Sequence, residues 1–205
     1  MRTMVVGAMA WLALSACTAT PGAVVAGAAS ADASHAQADQ PETSGPPPLP
    51  AEVVARAQPV ADADFERFRP IDEALWRAAF TRLIGGYPPV PRQEVACVAV
   101  GYEGNNTPYD PTPALLAMLE GIEGQADTRF LPASRCGFDI YPFVLGEGTP
   151  ATLYSAHVAG RSSDGRLVLA LSRTYGNLGG EGFEAMATRT ARGWEVSPPV
   201  MRSIS

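Results

Sequence analysis

Apolar residues recur at helical spacing between residues 73 and 84, and this is the clearest pattern in the chain. The stripe consists of Leu75, Trp76, Ala79, Phe80, Leu83 and Ile84. Such spacing predicts a helix with one buried face, on which Trp76 and Phe80 are core residues. Asp72 is a suitable N-cap, Gly85-Gly86 supplies a left-handed stop, and Pro88-Pro89 prevents a restart.

Later in the chain, apolar and polar residues alternate as in β-strands. One more helix is predicted between these strands. Thr112 is expected to cap that helix, with Pro113 at the favoured first position. The predicted strands are Glu94–Val100, Arg135–Tyr141, Thr152–Ala159, Arg166–Tyr175, Gly182–Thr190 and Trp194–Val196. The last four are separated by short turns at Ser162–Gly165, Gly176–Gly180 and Arg192-Gly193. Consecutive short turns of this kind predict an antiparallel meander.

These elements predict one α+β domain over residues 65–205. Two helices should pack on one face of a largely antiparallel sheet of five or six strands. A cystatin-like or NTF2-like curved sheet is the specific expectation, by analogy. Residues 151–205, with Trp194-x-Val196 and a terminal Ile204-Ser205, resemble the end of small secreted bacterial proteins of unknown function. That resemblance implies a sheet and no activity.

The first seventeen residues carry a second pattern. Arg2 precedes an apolar run, Met4–Leu14, that is too short to span a bilayer. It ends in Leu14-Ser15-Ala16-Cys17, which resembles the lipobox of bacterial lipoprotein precursors. The resemblance implies that residues 1–16 are a signal peptide and that Cys17 is diacylated with palmitate-type chains. An ordinary secretory signal cut after Ala16 is the alternative.

Lipidation would place the protein outside the cytoplasm, anchored to the cell envelope by lipid. Thr18 follows the cysteine where an Asp would suggest retention at the inner membrane, so the resemblance implies the periplasmic face of the outer membrane. Residues 17–64 are predicted to be a disordered tether, rich in Ala, Ser, Thr, Pro and Gly. A short helix around Ala51–Gln58 is compatible with this segment, ended by Pro59. His35 is expected to be a solvated linker residue.

Charge narrows the class of partner. The chain has 15 basic and 21 acidic residues, a net charge of −6, and every basic residue is Arg. This balance argues against nucleic acid, whose binding depends on neutralising phosphates. No later apolar run approaches the roughly twenty residues needed to cross a membrane, so the membrane is expected to be reached through the N-terminal lipid. An envelope protein or wall polymer is the expected partner.

The chemistry-bearing residues are few, and no cofactor is predicted. Cys97 and Cys136 are expected to form a disulfide in an oxidising compartment. Two separate buried thiols, a zinc site completed by His157, and a Cys97–His157 nucleophile pair are the alternatives. The glycine-rich stretch Gly179–Gly182 lies between strands, which favours a hairpin loop over a phosphate site.

His157 is the predicted centre of any functional site. Alternation places Leu153, Ser155, His157 and Ala159 on one face of their strand. The sequence does not give the register between this strand and the next one. Two positions for His157 therefore stay open: on a polar face of the sheet, or under the helices. We expect a non-catalytic envelope binding module, more readily than an enzyme. The alternative is a small hydrolase or lyase that uses His157 with a carboxylate, Asp139 or Glu184.

Overall fold

The computed structural model describes residues 49–61, 63, 73–86, 94–101, 107–122, 125–176 and 179–204. The predicted lipobox, Asp72 and Pro88-Pro89 lie outside them. The helices are α1 (Ala51–Arg56), α2 (Glu73–Gly85) and α3 (Pro113–Leu119). The strands are β1 (Val95–Gly101), β2 (Arg129–Pro132), β3 (Cys136–Phe138), β4 (Pro142–Val144), β5 (Thr152–Arg161), β6 (Leu167–Thr174), β7 (Gly180–Thr190), β8 (Gly193–Val196) and β9 (Val200–Ile204). None of the helices in these ranges has the length and apolar character to cross a bilayer.

A curled, half-barrel sheet is the centre of this mixed α+β fold. Its seven strands run in the order β2-β1-β5-β6-β7-β8, and β9 pairs with β7 beside β8. The pairs from β5 onward are antiparallel, as the short turns predicted. However, β1 pairs in parallel with both β2 and β5. The sheet is therefore larger than predicted and mixed in direction.

Helices α2 and α3 pack on one face of this sheet, as predicted. The whole apolar stripe of α2 is buried, including Trp76 and Phe80. Both helices share a core with the inward side chains of β1, β5, β6 and β7. Thr112 caps α3, because its side-chain oxygen accepts a hydrogen bond from the Leu115 amide at 3.1 Å. Among the described residues, the largest apolar cluster is the one that buries these two amphipathic helices.

The opposite face of β1 is covered by different elements. Cys97 and Cys136 form a disulfide there, with their Cα atoms 6.3 Å apart. It joins β1 to β3, and β3 pairs with β4 in a separate two-stranded sheet. Both sulfur-bearing residues are fully buried in a second apolar cluster with Val95, Val144 and Ala151. The predicted disulfide is therefore present, and it holds β3 against the face of β1 that lies opposite the helices.

Residues 49–61 also pack against the domain. The Val60 amide donates to the Cys136 carbonyl at 2.9 Å, and the Leu49 amide donates to the Gly148 carbonyl at 3.4 Å. Ala61 is buried beside Ala99 and Ala133. The short helix expected before Pro59 is present as α1. The folded part of the chain therefore includes residues that the sequence analysis placed in the tether.

Candidate functional site

The pairing of β5 with β6 decides which way His157 faces. Leu167, Leu169 and Leu171 are buried on the helix-covered side of β6. His157 pairs with Ala170, so it lies on the other side, with Ser155 opposite Ser172. We call this surface the polar face, defined by Ser155, His157, Ala170, Ser172 and Glu184. His157 therefore belongs to the polar face and does not lie under the helices.

The cross-strand neighbours of His157 are unusually small. Its partners are Gly101 on β1 and Ala170 on β6, and Ala170 in turn pairs with Glu184 on β7. A Cβ atom added at Gly101 would lie 2.8 Å from the Cβ of His157, closer than side chains tolerate. Only glycine allows β1 to approach the histidine this closely. The imidazole consequently projects from a shallow floor of small residues.

Two cavities adjoin at His157. One, of about 280 Å³, lies between the ends of β1 and β5 and the segment at Thr107-Pro108. The other, of about 310 Å³, extends across β6 and β7 towards Arg202 and Ser203 of β9. Ser155 and His157 line both cavities. Each is near the lower limit of volume for a small-molecule site.

An ion pair provides the charges in the larger cavity. Arg202 donates to a carboxylate oxygen of Glu184 at 2.8 Å, and both side chains are about half exposed. His157 is also exposed, yet partial desolvation by the sheet lowers the pKa of His157 below its ordinary value. The neutral imidazole is thereby favoured, and it offers one donor and one acceptor.

His157 and Glu184 share a cavity without touching. Two strand spacings separate their Cα atoms, about 10 Å. Among the described residues no hydrogen bond links His157 to Glu184 or to Ser155. Ser155 is instead bonded to Ser172, with their hydroxyl oxygens 2.7 Å apart. Ser155 is therefore not paired with His157 as a base-activated nucleophile.

The other sequence candidates lie apart from this site. Asp139 lines a hollow beside α1 with Glu52 and Arg56, so it is not the carboxylate that accompanies His157. The Cys97–His157 nucleophile pair is wrong, because Cys97 is bonded to Cys136. His157 pairs with Gly101, which lies four residues, or about 13 Å, further along β1 than Cys97. The same disulfide removes both thiolates from the zinc alternative. No group of three or more metal-ligating side chains converges within the described ranges.

Some polar residues were missed by the sequence analysis. Arg202 reaches the polar face from β9, a strand that alternation did not reveal because all of its residues are exposed. Arg173 and Glu181 form a buried ion pair on the helix-covered side, with the Arg173 guanidinium 5.8 Å from the centre of the Phe183 ring. Tyr154 is paired with Arg173 across the strands. Burial raises the pKa of Tyr154, and the Arg173 charge partly opposes this.

Comparisons with protein-family models, with curated proteins and with solved structures gave no match for this chain.

Proposed function

We propose that the chain is the precursor of an envelope lipoprotein whose folded part is a non-catalytic binding module, with the polar face around His157 as its ligand site. Cys17 would carry the lipid and become the mature N-terminus, on the resemblance of Leu14–Cys17 to a lipobox. The Cys97–Cys136 disulfide supports export, since disulfides persist mainly in oxidising compartments. The outer membrane is the proposed location and an envelope protein or wall polymer the proposed partner.

The observation that carries the binding site is the pair of cavities meeting at Ser155 and His157. A concave polar surface with one neutral imidazole, paired hydroxyls and an ion pair can orient a ligand by hydrogen bonds. Glu184 is held by Arg202 rather than by His157, which favours binding over proton transfer. A ligand of mixed polarity could donate to Glu184 and pair with either nitrogen of His157.

The fold proposed for this domain is more specific than a mixed α+β sheet. We interpret the curled sheet with α2 and α3 on one face as a cystatin-like or NTF2-like arrangement. The parallel strand β1 is the feature in which this chain departs from the antiparallel sheet that was expected.

The alternative is a small hydrolase or lyase. The observation in its favour is that His157 and Glu184 line one cavity. A substrate would have to span the two strand spacings between His157 and Glu184. His157 would then act as the base and Glu184 as the acid or as an electrostatic partner. A hydrolytic activity that both His157→Gln and Glu184→Gln abolish would favour this function.

Site-specific photo-cross-linking tests the binding proposal. A benzophenone amino acid would replace Ala159, which lines the larger cavity, or Glu120, an exposed residue at the end of α3. In intact cells we expect an adduct from position 159, absent from position 120 and weakened by His157→Ala at an unchanged melting temperature. Equal adducts from both positions, or none from 159, would refute the site.

A further inference from the structure

Another cavity of the described residues lies away from His157, between α2 and β8. It is an open groove of about 850 Å³, lined on one side by α2 and on the other by residues 192–198. We call it the arginine groove, after Arg77, Arg82, Arg166 and Arg192, which all line it. It plays no part in the site proposed above.

Charge in the groove is opposite to that of the chain. The whole protein has a net charge of −6, whereas Glu195 is the one acidic residue among the described residues that line the groove. Two of the four arginines are already engaged: Arg82 donates to the Val196 carbonyl at 3.1 Å, and Arg166 pairs with Asp164 at 2.7 Å. Arg77 and Arg192 are exposed, and no ion pair links either of them to a described residue. A concentration of guanidinium groups on an acidic protein is suited to an anionic ligand.

The remaining lining indicates the chemistry of that ligand. Trp194 is half-buried and lines the groove, and the Arg189 guanidinium lies 5.4 Å from the centre of its ring. Thr81 and Thr188 add exposed hydroxyls. Arginines provide paired donors for carboxylates, hydroxyls hydrogen-bond sugar hydroxyls, and an indole offers an apolar surface to a sugar ring. Acidic peptides need no such hydroxyls, and lipid headgroups need no groove of this volume.

We propose that the arginine groove binds a segment of a carboxylate-bearing polysaccharide. Arg77 and Arg192 pair with carboxylates of the polymer, and the exposed part of Trp194 contacts a sugar ring of the same segment. Arg82 is a positioning residue, because its bond to Val196 holds α2 against β8.

Polygalacturonate, with its fully methyl-esterified form as the neutral counterpart, is the probe. The full chain, purified in mild detergent, should bind the acid form with an affinity that falls as salt is added. Arg77→Gln with Arg192→Gln should weaken binding at least about tenfold, since hydrogen bonds to charged groups are each of this order. Arg56→Gln with Arg129→Gln removes the same charge from exposed positions outside the groove and should change little. Binding should also alter the tryptophan fluorescence, and Trp194→Phe should remove that change.

Several outcomes would overturn the proposal. Equal binding of the esterified polymer would remove the role of the carboxylates. An equal loss of affinity in the control variant would show that only the net charge of the protein matters for binding. Tighter binding of poly-glutamate, or of phosphatidylglycerol vesicles, would replace the polysaccharide by an acidic peptide or a membrane. A lowered melting temperature of the groove variant, with Trp194 fluorescence unaffected by the probe, would make the arginines structural only.

Discussion

Gly101 and His157 face each other across the parallel pair β1–β5, and the absent side chain of Gly101 is what lets the imidazole sit there. A methyl group at 101 would lie 2.8 Å from the Cβ of His157, so one of the two strands would have to move. Gly101 therefore determines where the His157 side chain lies.

Gly101→Ala should consequently destabilise the fold by about 1–3 kcal/mol, the usual cost of overpacking. Urea denaturation measures this, and the imidazole NMR signals of His157 should shift in the same variant. Gly160→Ala is the matched control, because an added Cβ there meets nothing within 4 Å. If both substitutions cost the same, the close approach of β1 to His157 is not what selects glycine.

The disulfide between Cys97 and Cys136 should contribute about 4 kcal/mol of stability for a sequence separation of 39, on the chain-entropy model. Cys97→Ala with Cys136→Ala should lower the free energy of unfolding by up to this amount. The urea midpoints of the wild type, measured with and without reductant, show how much stability the disulfide contributes. Reductant should leave the double variant unchanged. Two free thiols from these residues in the unfolded, unreduced protein would exclude the bond.

Lowered pH should destabilise the protein through His157. Partial desolvation lowers the pKa of His157 in the folded state, so the unfolded chain binds more protons near its own pKa. The stability that neutral His157 contributes is fully present above about pH 6.5, the pKa of His in the unfolded chain. It is lost as the pH falls from there towards the lower pKa of His157 in the folded state. The difference in stability between wild type and His157→Gln, measured across this range, isolates the effect. A titration midpoint of His157 above 6.5, assigned by NMR against His35→Gln, would contradict it.

The buried ion pair Arg173–Glu181 should matter far more than the exposed pair Arg129–Glu147. The side chains of the first pair are 7% and 13% exposed, and those of the second 51% and 42%. Glu181→Gln removes a charge partner of a buried guanidinium and should cost about 3–5 kcal/mol. Glu147→Gln should cost no more than about 1 kcal/mol. Similar urea midpoints for the two variants would show that Arg173 does not depend on Glu181.

Lipidation at Cys17 is tested by metabolic labelling with an alkyne analogue of palmitate. Cys17→Ala should abolish the label and leave the precursor unprocessed or released from the membrane. The variant that lacks Cys97 and Cys136 should keep the label, because its cysteine substitutions lie in the folded domain. A wild-type mature chain without lipid would refute the lipoprotein proposal.

Local pattern was enough to predict the elements whose neighbours in space are also neighbours in sequence. The stripe of α2, the cap at Thr112 and the hairpin turns all depend on residues within one or two turns of chain. The Ser162–Gly165 turn forms as predicted, with Gly165 at a φ of 85°. These elements account for α2, α3 and the antiparallel strands β5 to β8.

Long-range pairing was not predictable in the same way. Strand β2 has four residues, and its parallel pairing with β1 spans a connection that includes α3, so no alternation reveals it. The facing of His157 depended on the β5–β6 register, which a shift of one residue would have reversed. Arg202 became part of the site only through β9, whose exposed residues give no core signal.

The entry of the chain into the domain has a mechanical consequence. A pull applied at Leu49 passes along α1 to Val60, whose amide is bonded to the Cys136 carbonyl. Cys136 is covalently joined to β1, the strand between β2 and β5. Tension on this end of the chain would thus reach a cross-linked strand inside the sheet instead of peeling an edge strand away. On the lipid anchor proposed at Cys17, load on the N-terminal side would therefore arrive at this cross-linked strand.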